Sequence, residues 1–248
     1  MHLSIYLSIL YLKPYVMKKN LPLYVSIMLV AAYASFSSCS HRYYTASLFE
    51  QQTAGHKVVA VLPAEMIFTG TQPKNLAPED IAKIEETESK SFQQALYNGI
   101  LRYANSRKYT TTVNLQDINS TQKLLEKNNI SVRDSWKRDD IELAQLLGVD
   151  AIVRMRIQKQ RYMSDAASYG INVGRQIIYN TGLGSKIPVP YVANKTNDIY
   201  ASCNLLSKNM TLWNDSYKEA SDYNTASNVI IENIADNFGR HFPYKRRR

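Results

Sequence analysis

Gly148-Val149-Asp150-Ala151-Ile152-Val153-Arg154-Met155-Arg156-Ile157-Gln158 is the stretch that decides the fold. Val149, Ala151, Val153, Met155 and Ile157 alternate with Asp150, Arg154, Arg156 and Gln158. That period of two marks a strand with one face in a core and the other in water. A strand divided in this way belongs at a sheet edge or among antiparallel neighbours. Just before it, Asp139-Asp140 opens a helix over residues 141–147, and Gly148 follows as the residue best suited to end it. A helix, a glycine and a strand in succession imply a sheet with helices packed on it.

Upstream, Lys57-Val58-Val59-Ala60-Val61-Leu62-Pro63 reads as a short buried strand stopped by proline. A loop containing Gly70, Pro73 and Pro78 follows. Residues 79–103 form the strongest predicted helix, because Ile81, Ile84, Phe92, Leu96, Ile100 and Tyr103 recur at helical spacing. Its Glu85, Glu86 and Glu88 read as a solvated face. Residues 109–115 are β-branched and predict a second strand. Asp117 or Asn119 caps a helix running to Lys127.

Downstream, residues 199–206 and 210–217 predict a hairpin through Ser207-Lys208-Asn209. Ser227 is expected to cap a last helix with Ile230, Ile234, Phe238 and Phe242 in line. The expected fold class is α/β (or α+β). It is a single three-layer domain over residues 57–244, with a mixed β-sheet of about five strands flanked by helices and an insertion at 163–198.

The N-terminal region differs in kind. Residues 1–38 contain no Asp or Glu. Met17-Lys18-Lys19-Asn20 supplies a cationic start, residues 21–34 an apolar run, and Ser35-Phe36-Ser37-Ser38 a small-residue approach to Cys39. This is the layout of an export signal, too short and wrongly flanked for a membrane span. Met17 is the better start, since it puts both lysines at the terminus. Residues 39–56 read as a tether and residues 245–248 as a basic tail.

The chain carries a formal net charge of +9. Setting aside Lys13, Lys18, Lys19 and Lys245-Arg246-Arg247-Arg248 leaves 23 Lys and Arg against 21 acids, so the body is nearly neutral. No basic face with interleaved aromatics is expected inside it, which excludes nucleic acid as a partner. Cys203 falls on the apolar face of its strand with Ile199, Ala201 and Leu205, the usual place for a small buried thiol. No Cys/His spacing predicts a metal, no cofactor is expected, and no Gly-x-Ser-x-Gly or His-Glu-x-x-His signature predicts an enzyme. Gly182-Leu183-Gly184-Ser185-Lys186 lacks both the Walker spacing and a preceding strand. Trp136 and Trp213 read as half-buried anchors, and His241 as a packing or solvent-facing residue at a helix end.

The signal that ends in Cys39 resembles that of bacterial lipoproteins. The Val-Val-Ala-Val-Leu-Pro strand, Phe92-Gln93-Gln94-Ala95-Leu96 and Glu142-Leu143-Ala144-Gln145-Leu146-Leu147-Gly148-Val149-Asp150-Ala151-Ile152-Val153 resemble the curli-secretion lipoprotein family and the TolB amino-terminal domain. Phe36 departs from the Leu usual in the lipobox. The resemblance implies lipidation of Cys39 and attachment to the membrane there, on the periplasmic face of the outer membrane. It also implies a non-enzymatic role in envelope assembly, secretion or transport, with an envelope protein or further copies of the chain as partner. A lipid-anchored envelope enzyme is the alternative. Within the insertion, Tyr169, Ile171, Val173, Ile177 and Tyr179 are the expected partner or membrane contacts.

Overall fold

The computed structural model describes residues 43–70, 77–164, 196–222 and 224–248. In chain order these form β1 (Tyr43–Thr45), α1 (Phe49–Thr53), β2 (Val58–Val61), β3 (Glu65–Gly70), α2 (Pro78–Ala104), β4 (Tyr109–Thr111) and β5 (Asn114–Leu115). Then come α3 (Ile118–Lys127), α4 (Val132–Lys137), α5 (Asp140–Leu147), β6 (Ala151–Arg161), β7 (Asn197–Ser207), β8 (Met210–Ser221), α6 (Ser227–His241) and β9 (Lys245–Arg247).

A mixed seven-stranded sheet runs β1-β8-β7-β6-β2-β5, with β3 also on β6. The deciding strand β6 is shared lengthwise. Its start pairs in parallel with β2 and its far half in parallel with β3, while β7 runs antiparallel along its other edge. The alternation in its sequence is obeyed: Ala151, Val153, Met155 and Ile157 are buried and Arg156 and Gln158 exposed.

The apolar face of the sheet is covered by α2 and α6. Phe92, Leu96, Ile100, Ile230, Ile234 and Phe238 pack on Val59, Val61, Val153, Met155, Cys203, Leu205 and Trp213. The two helices cross at Gly99 and Gly239. A Cβ on Gly239 would lie 2.6 Å from the Gly99 carbonyl carbon, so only glycine permits the approach. A smaller core on the other face joins Leu125, Ile130, Leu143 and Leu147 to Ala60, Leu62 and Ile152. The helix ends follow the chemistry of their caps. Asp117 accepts from Ser120 N at 3.0 Å, Asp139 from Ile141 N at 2.9 Å, and Gly148 takes the left-handed conformation at φ +67°.

Several expectations give way. The sheet has seven strands rather than about five, because β3 and β1 add to it. The segment expected as a tether is part of the fold from Tyr43 onward: β1 pairs with β8 as Tyr43↔Asp215, Tyr44↔Asn214 and Thr45↔Trp213. The expected basic tail forms β9 and pairs with β4, its backbone compensating for side chains that carry no strand pattern. The hairpin strands run to 197–207 and 210–221, longer than expected, so residues 197 and 198 leave the insertion for the sheet. Ser227 is the first helical residue, and Ala226 occupies the cap without a side-chain bond. Trp213 is fully buried, not half-buried. Glu85 pairs with Arg133, and Glu88 with Lys159 at 3.2 Å, so that face of α2 is tied down rather than freely solvated.

Candidate functional site

The helix layer formed by α3 and α5 packs on β2 at Ala60 and Leu62, and reaches β6 and β7 only where β6 begins, at Ile152, and where β7 ends, at Leu206. Beyond that point, among the described residues, only α4 lies on the same face of β6, β7 and β8, where Arg154 holds it. The antiparallel registers set its residues in three rows: Arg154, Asn204 and Asn214; Arg156, Ser202 and Ser216; Gln158, Tyr200 and Lys218. Antiparallel partners point to the same side of a sheet. The strand alternation that buries one face therefore builds a three-by-three polar array on the other.

The first row forms a wall. Arg154 Nε donates to Asp140 Oδ1 at 2.5 Å, and its Nη1 donates to the carbonyls of Ser135 and Trp136 at 2.9 and 3.1 Å. The Arg154 guanidinium is thus committed to holding α4 and the start of α5 against β6. Beside it, Asn214 Nδ2 donates to Asn204 Oδ1 at 2.5 Å. In the second row, Arg156 makes a bidentate pair with Glu65 at 2.7 and 3.1 Å. That hydrogen bonding, then the Glu65 charge, holds the guanidinium above the ordinary arginine range. In the third row, Lys218 lies 4.7 Å over the Tyr200 ring and 3.3 Å from Asp198. The Tyr200 hydroxyl, then the Asp198 carboxylate, raise the Lys218 pKa. Tyr162 donates to the same Asp198 at 3.0 Å, and its own pKa is raised by desolvation first and by that bond second.

The ion pairs are layered. The Arg156 and Lys218 side chains are 59% and 51% exposed, whereas their carboxylates Glu65 and Asp198 are 31% and 3% exposed. The surface therefore presents the cations, with the counter-charges beneath. A cleft of about 560 Å³ opens over the second and third rows. A smaller one of about 180 Å³ lies between the first row and α4, bordered by Trp136, Glu65 and Asn204. The Trp136 indole Nε1 is buried without a hydrogen-bond partner. A donor left unmatched at this depth costs about 1–3 kcal/mol, which an incoming acceptor would recover.

A second polar cluster lies on the core side. The fully buried Asp215 carboxylate meets His241 Nδ1 at 2.8 Å and accepts from Ser216 N at 2.8 Å, while the Tyr43 ring stacks on the imidazole at 5.0 Å. His241, expected to pack or face solvent, instead fastens the end of α6 to β8. Cys203 lies beside Asp215 in the register, fully buried as its strand pattern predicted. Burial, then the Asp215 charge, push its thiol well above the usual range.

Among the described residues no group of three or more His, Cys, Asp or Glu is placed to hold a metal, and no helix is long and apolar enough to cross a membrane. Cys39, Tyr169, Ile171, Val173, Ile177 and Tyr179 lie outside the described residues, as does the 182–186 segment. The residues that line the clefts were only half visible in the sequence. The alternation of Arg154, Arg156 and Gln158 marks the polar side of β6. The matching sides of β7 and β8 emerge only once their register is known.

Fold and site together define a mixed α/β domain with one sheet face packed and the other only partly covered by helices among the described residues. No protein-family model matches the chain, and no curated protein matches it in sequence. Among solved structures it is similar to the PelC dodecamer of Paraburkholderia phytofirmans, with TM-score 0.38 and 7% identity over 80% of this chain and 93% of that one. It is also similar to the lipoprotein GNA1162 of Neisseria meningitidis (TM-score 0.36, 10% identity, 75% and 96% covered). The LpoB C-terminal domain of Salmonella enterica is a third (TM-score 0.32, 12% identity, 71% and 93% covered). These are likenesses of chain path at low identity and say nothing of individual residues. None of the three is a curli-secretion lipoprotein or a TolB domain.

Proposed function

We propose that this chain is a non-enzymatic lipoprotein, anchored through a lipid on Cys39 at the periplasmic face of the outer membrane. Its open sheet face docks an envelope protein, or a further copy of itself, in an assembly or secretion complex. The observation that carries this reading is the second and third rows of the array, which no helix covers among the described residues, with their cleft and, at the border of the smaller cleft, the unmatched Trp136 donor. Fork-shaped donors and acceptors (Arg156, Asn204, Asn214, Gln158) and the exposed Tyr200 suit an extended polar segment. The charged groups Arg156 and Lys218 are already paired with Glu65 and Asp198, so the face offers recognition rather than acid–base chemistry. Cys39 precedes the first residue of β1 by four positions, so the anchor would hold the domain within about 14 Å of chain from the lipid. Tyr169, Ile171, Val173, Ile177 and Tyr179 belong to the proposal as further contacts.

Two measurements test it. Metabolic palmitate labelling should mark the wild-type chain and not Cys39→Ala; equal labelling of both removes the anchor. A photo-crosslinking residue at Ser202 or Ser216 should capture a discrete adduct in the envelope that the same residue at Lys123, on α3, does not. Identical adduct patterns at the two places would remove the docking face.

A further inference from the structure

We infer that the ordered ribbon of β4 and β9 is a second membrane contact, one that binds anionic phospholipid headgroups and orients the domain on the bilayer. Every residue of β9 is a cation. Pairing sets Tyr109 opposite Arg247, Thr110 opposite Arg246 and Thr111 opposite Lys245, and Arg248 N donates to the Lys108 carbonyl at 3.0 Å. Tyr244, buried just before the strand, fixes where it starts, and Thr112 N donates to its carbonyl at 3.1 Å. Lys245 is drawn inward, 5.2 Å over the Tyr109 ring.

The remaining cations are presented outward. Arg107, Lys108, Arg246, Arg247 and Arg248 are exposed, and among the described residues none of them makes an ion pair. Elsewhere Arg102, Arg133, Arg138, Arg154, Arg156, Lys159 and Lys218 each face a carboxylate, and cations without an ion pair, such as Lys123, Lys127 and Lys137, sit on helices rather than together on one strand. A free tail would let its charges spread apart. A paired ribbon holds them together at a cost in self-repulsion that a surface of phosphates relieves.

Position selects the partner. The chain enters the fold at Tyr43, stacked on His241, and Phe49 packs 5.3 Å from Tyr244. The entry segment thus lies against the residues that lead into β9, and a lipid on Cys39 would bring the ribbon to the bilayer surface. Its placement rests on the lipid-anchor reading. A lipid chain and a polybasic patch are the two-signal combination that gives stable, oriented binding.

The test uses residues 40–248 without lipid, since residues Arg42–Arg248 form one compact unit with its own core. Cosedimentation is measured with phosphatidylglycerol–phosphatidylethanolamine vesicles and with purely zwitterionic vesicles. Binding is expected only to the anionic vesicles, and it should weaken as salt rises. Each cation removed should cost about fivefold, so Arg246→Gln/Arg247→Gln/Arg248→Gln should lose on the order of a hundredfold. The corresponding triple Arg→Lys variant should retain binding. The charge-matched control Lys123→Gln/Lys127→Gln/Lys137→Gln on α3 and α4 should change it by less than about threefold. Coincident far-UV circular dichroism and melting curves establish that each variant is folded. Equal losses in both glutamine triples, equal binding to zwitterionic vesicles, or tighter binding to an oligonucleotide than to the anionic vesicles would each overturn the inference. Failure of palmitate labelling would remove the anchor alone and leave the vesicle result standing, so the two readings fail separately.

Discussion

Replacing Gly239 with Ala should destabilise the domain, although the same change in an exposed helix stabilises it. At a solvent-facing helical position, Gly→Ala gains about 1 kcal/mol of helix propensity. Here the new methyl would lie 2.6 and 2.7 Å from the carbonyl carbon and oxygen of Gly99 and 3.0 Å from Ile100 N. Carbon atoms in contact prefer about 3.5–4.0 Å, so the helices must part by about 1 Å at the crossing. The obstacle is backbone, so no rotamer change relieves it, and the parting loosens Leu96 and Ile100 against Ile234 and Phe238. Overpacking of this kind costs about 1–3 kcal/mol, and a backbone clash belongs at the top of that range. Subtracting the propensity gain leaves a net loss of about 2 kcal/mol, or roughly 4–8 °C in melting temperature for a domain of this size.

Two controls bracket the value. A Cβ on Gly55 meets nothing within 4 Å, and Gly55→Ala should shift stability by less than about 0.5 kcal/mol. Gly148 is also open, but its φ of +67° should make Gly148→Ala cost about 1 kcal/mol. Urea titrations and thermal melts of the three variants should rank Gly239 above Gly148 above Gly55 in damage. A Gly239→Ala protein that melts at or above the wild type would refute the close crossing.

Two further outcomes are expected. The Cys203 thiol, buried and with its pKa raised, should resist aromatic disulfide reagents in the folded residues 40–248 and react fully in denaturant; rapid reaction in the native state would contradict the packing of β7. His56 Nδ1 shares a hydrogen bond of 2.5 Å with the Tyr244 hydroxyl, and burial lowers the His56 pKa below 6.5, against the raising effect of Asp150. The unfolded chain therefore takes up the proton first. The His56 contribution to stability is complete above pH 6.5 and fades as pH falls through the lower folded value. His56→Gln should flatten the decline in melting temperature across that window, and an unchanged slope would remove His56 as its source.

Elements whose burial is one-sided could be read from the chain. The alternation in β6, the apolar spacing of α2 and the caps at Asp117, Asp139 and Gly148 all carry their own signal. What escaped has no local signature. In β3 only Met66 is buried, because the strand rides on the outer half of β6, and its pairing is a tertiary outcome. All three residues of β1 are exposed, and β9 is Lys-Arg-Arg, so backbone pairing alone makes them strands. α4 was missed although its sign was present: Ser131 and Asp134 form a reciprocal capping box. The candidate site was legible to the same degree. Arg154, Arg156 and Gln158 stood out on the polar side of β6. That the face beyond them lies open depends on how far α3 and α5 reach, and sequence periodicity does not encode that.

The shortness of β1 bears on how the domain would behave under load. Its three exposed residues and a helix α1 with no buried side chain make residues 43–53 the part of the fold easiest to detach. The β1–β8 pairing, the Ala46 N to Leu212 O bond at 2.9 Å and the Phe49 and Tyr43 ring contacts resist detachment. Were the proposed anchor on Cys39 pulled, this segment would peel first, and about 11 residues of slack would lengthen the leash by roughly 35 Å while the sheet from β2 onward stayed whole. On that proposal the entry strand would act as a mechanical fuse, setting how far the polar face could stand from the bilayer.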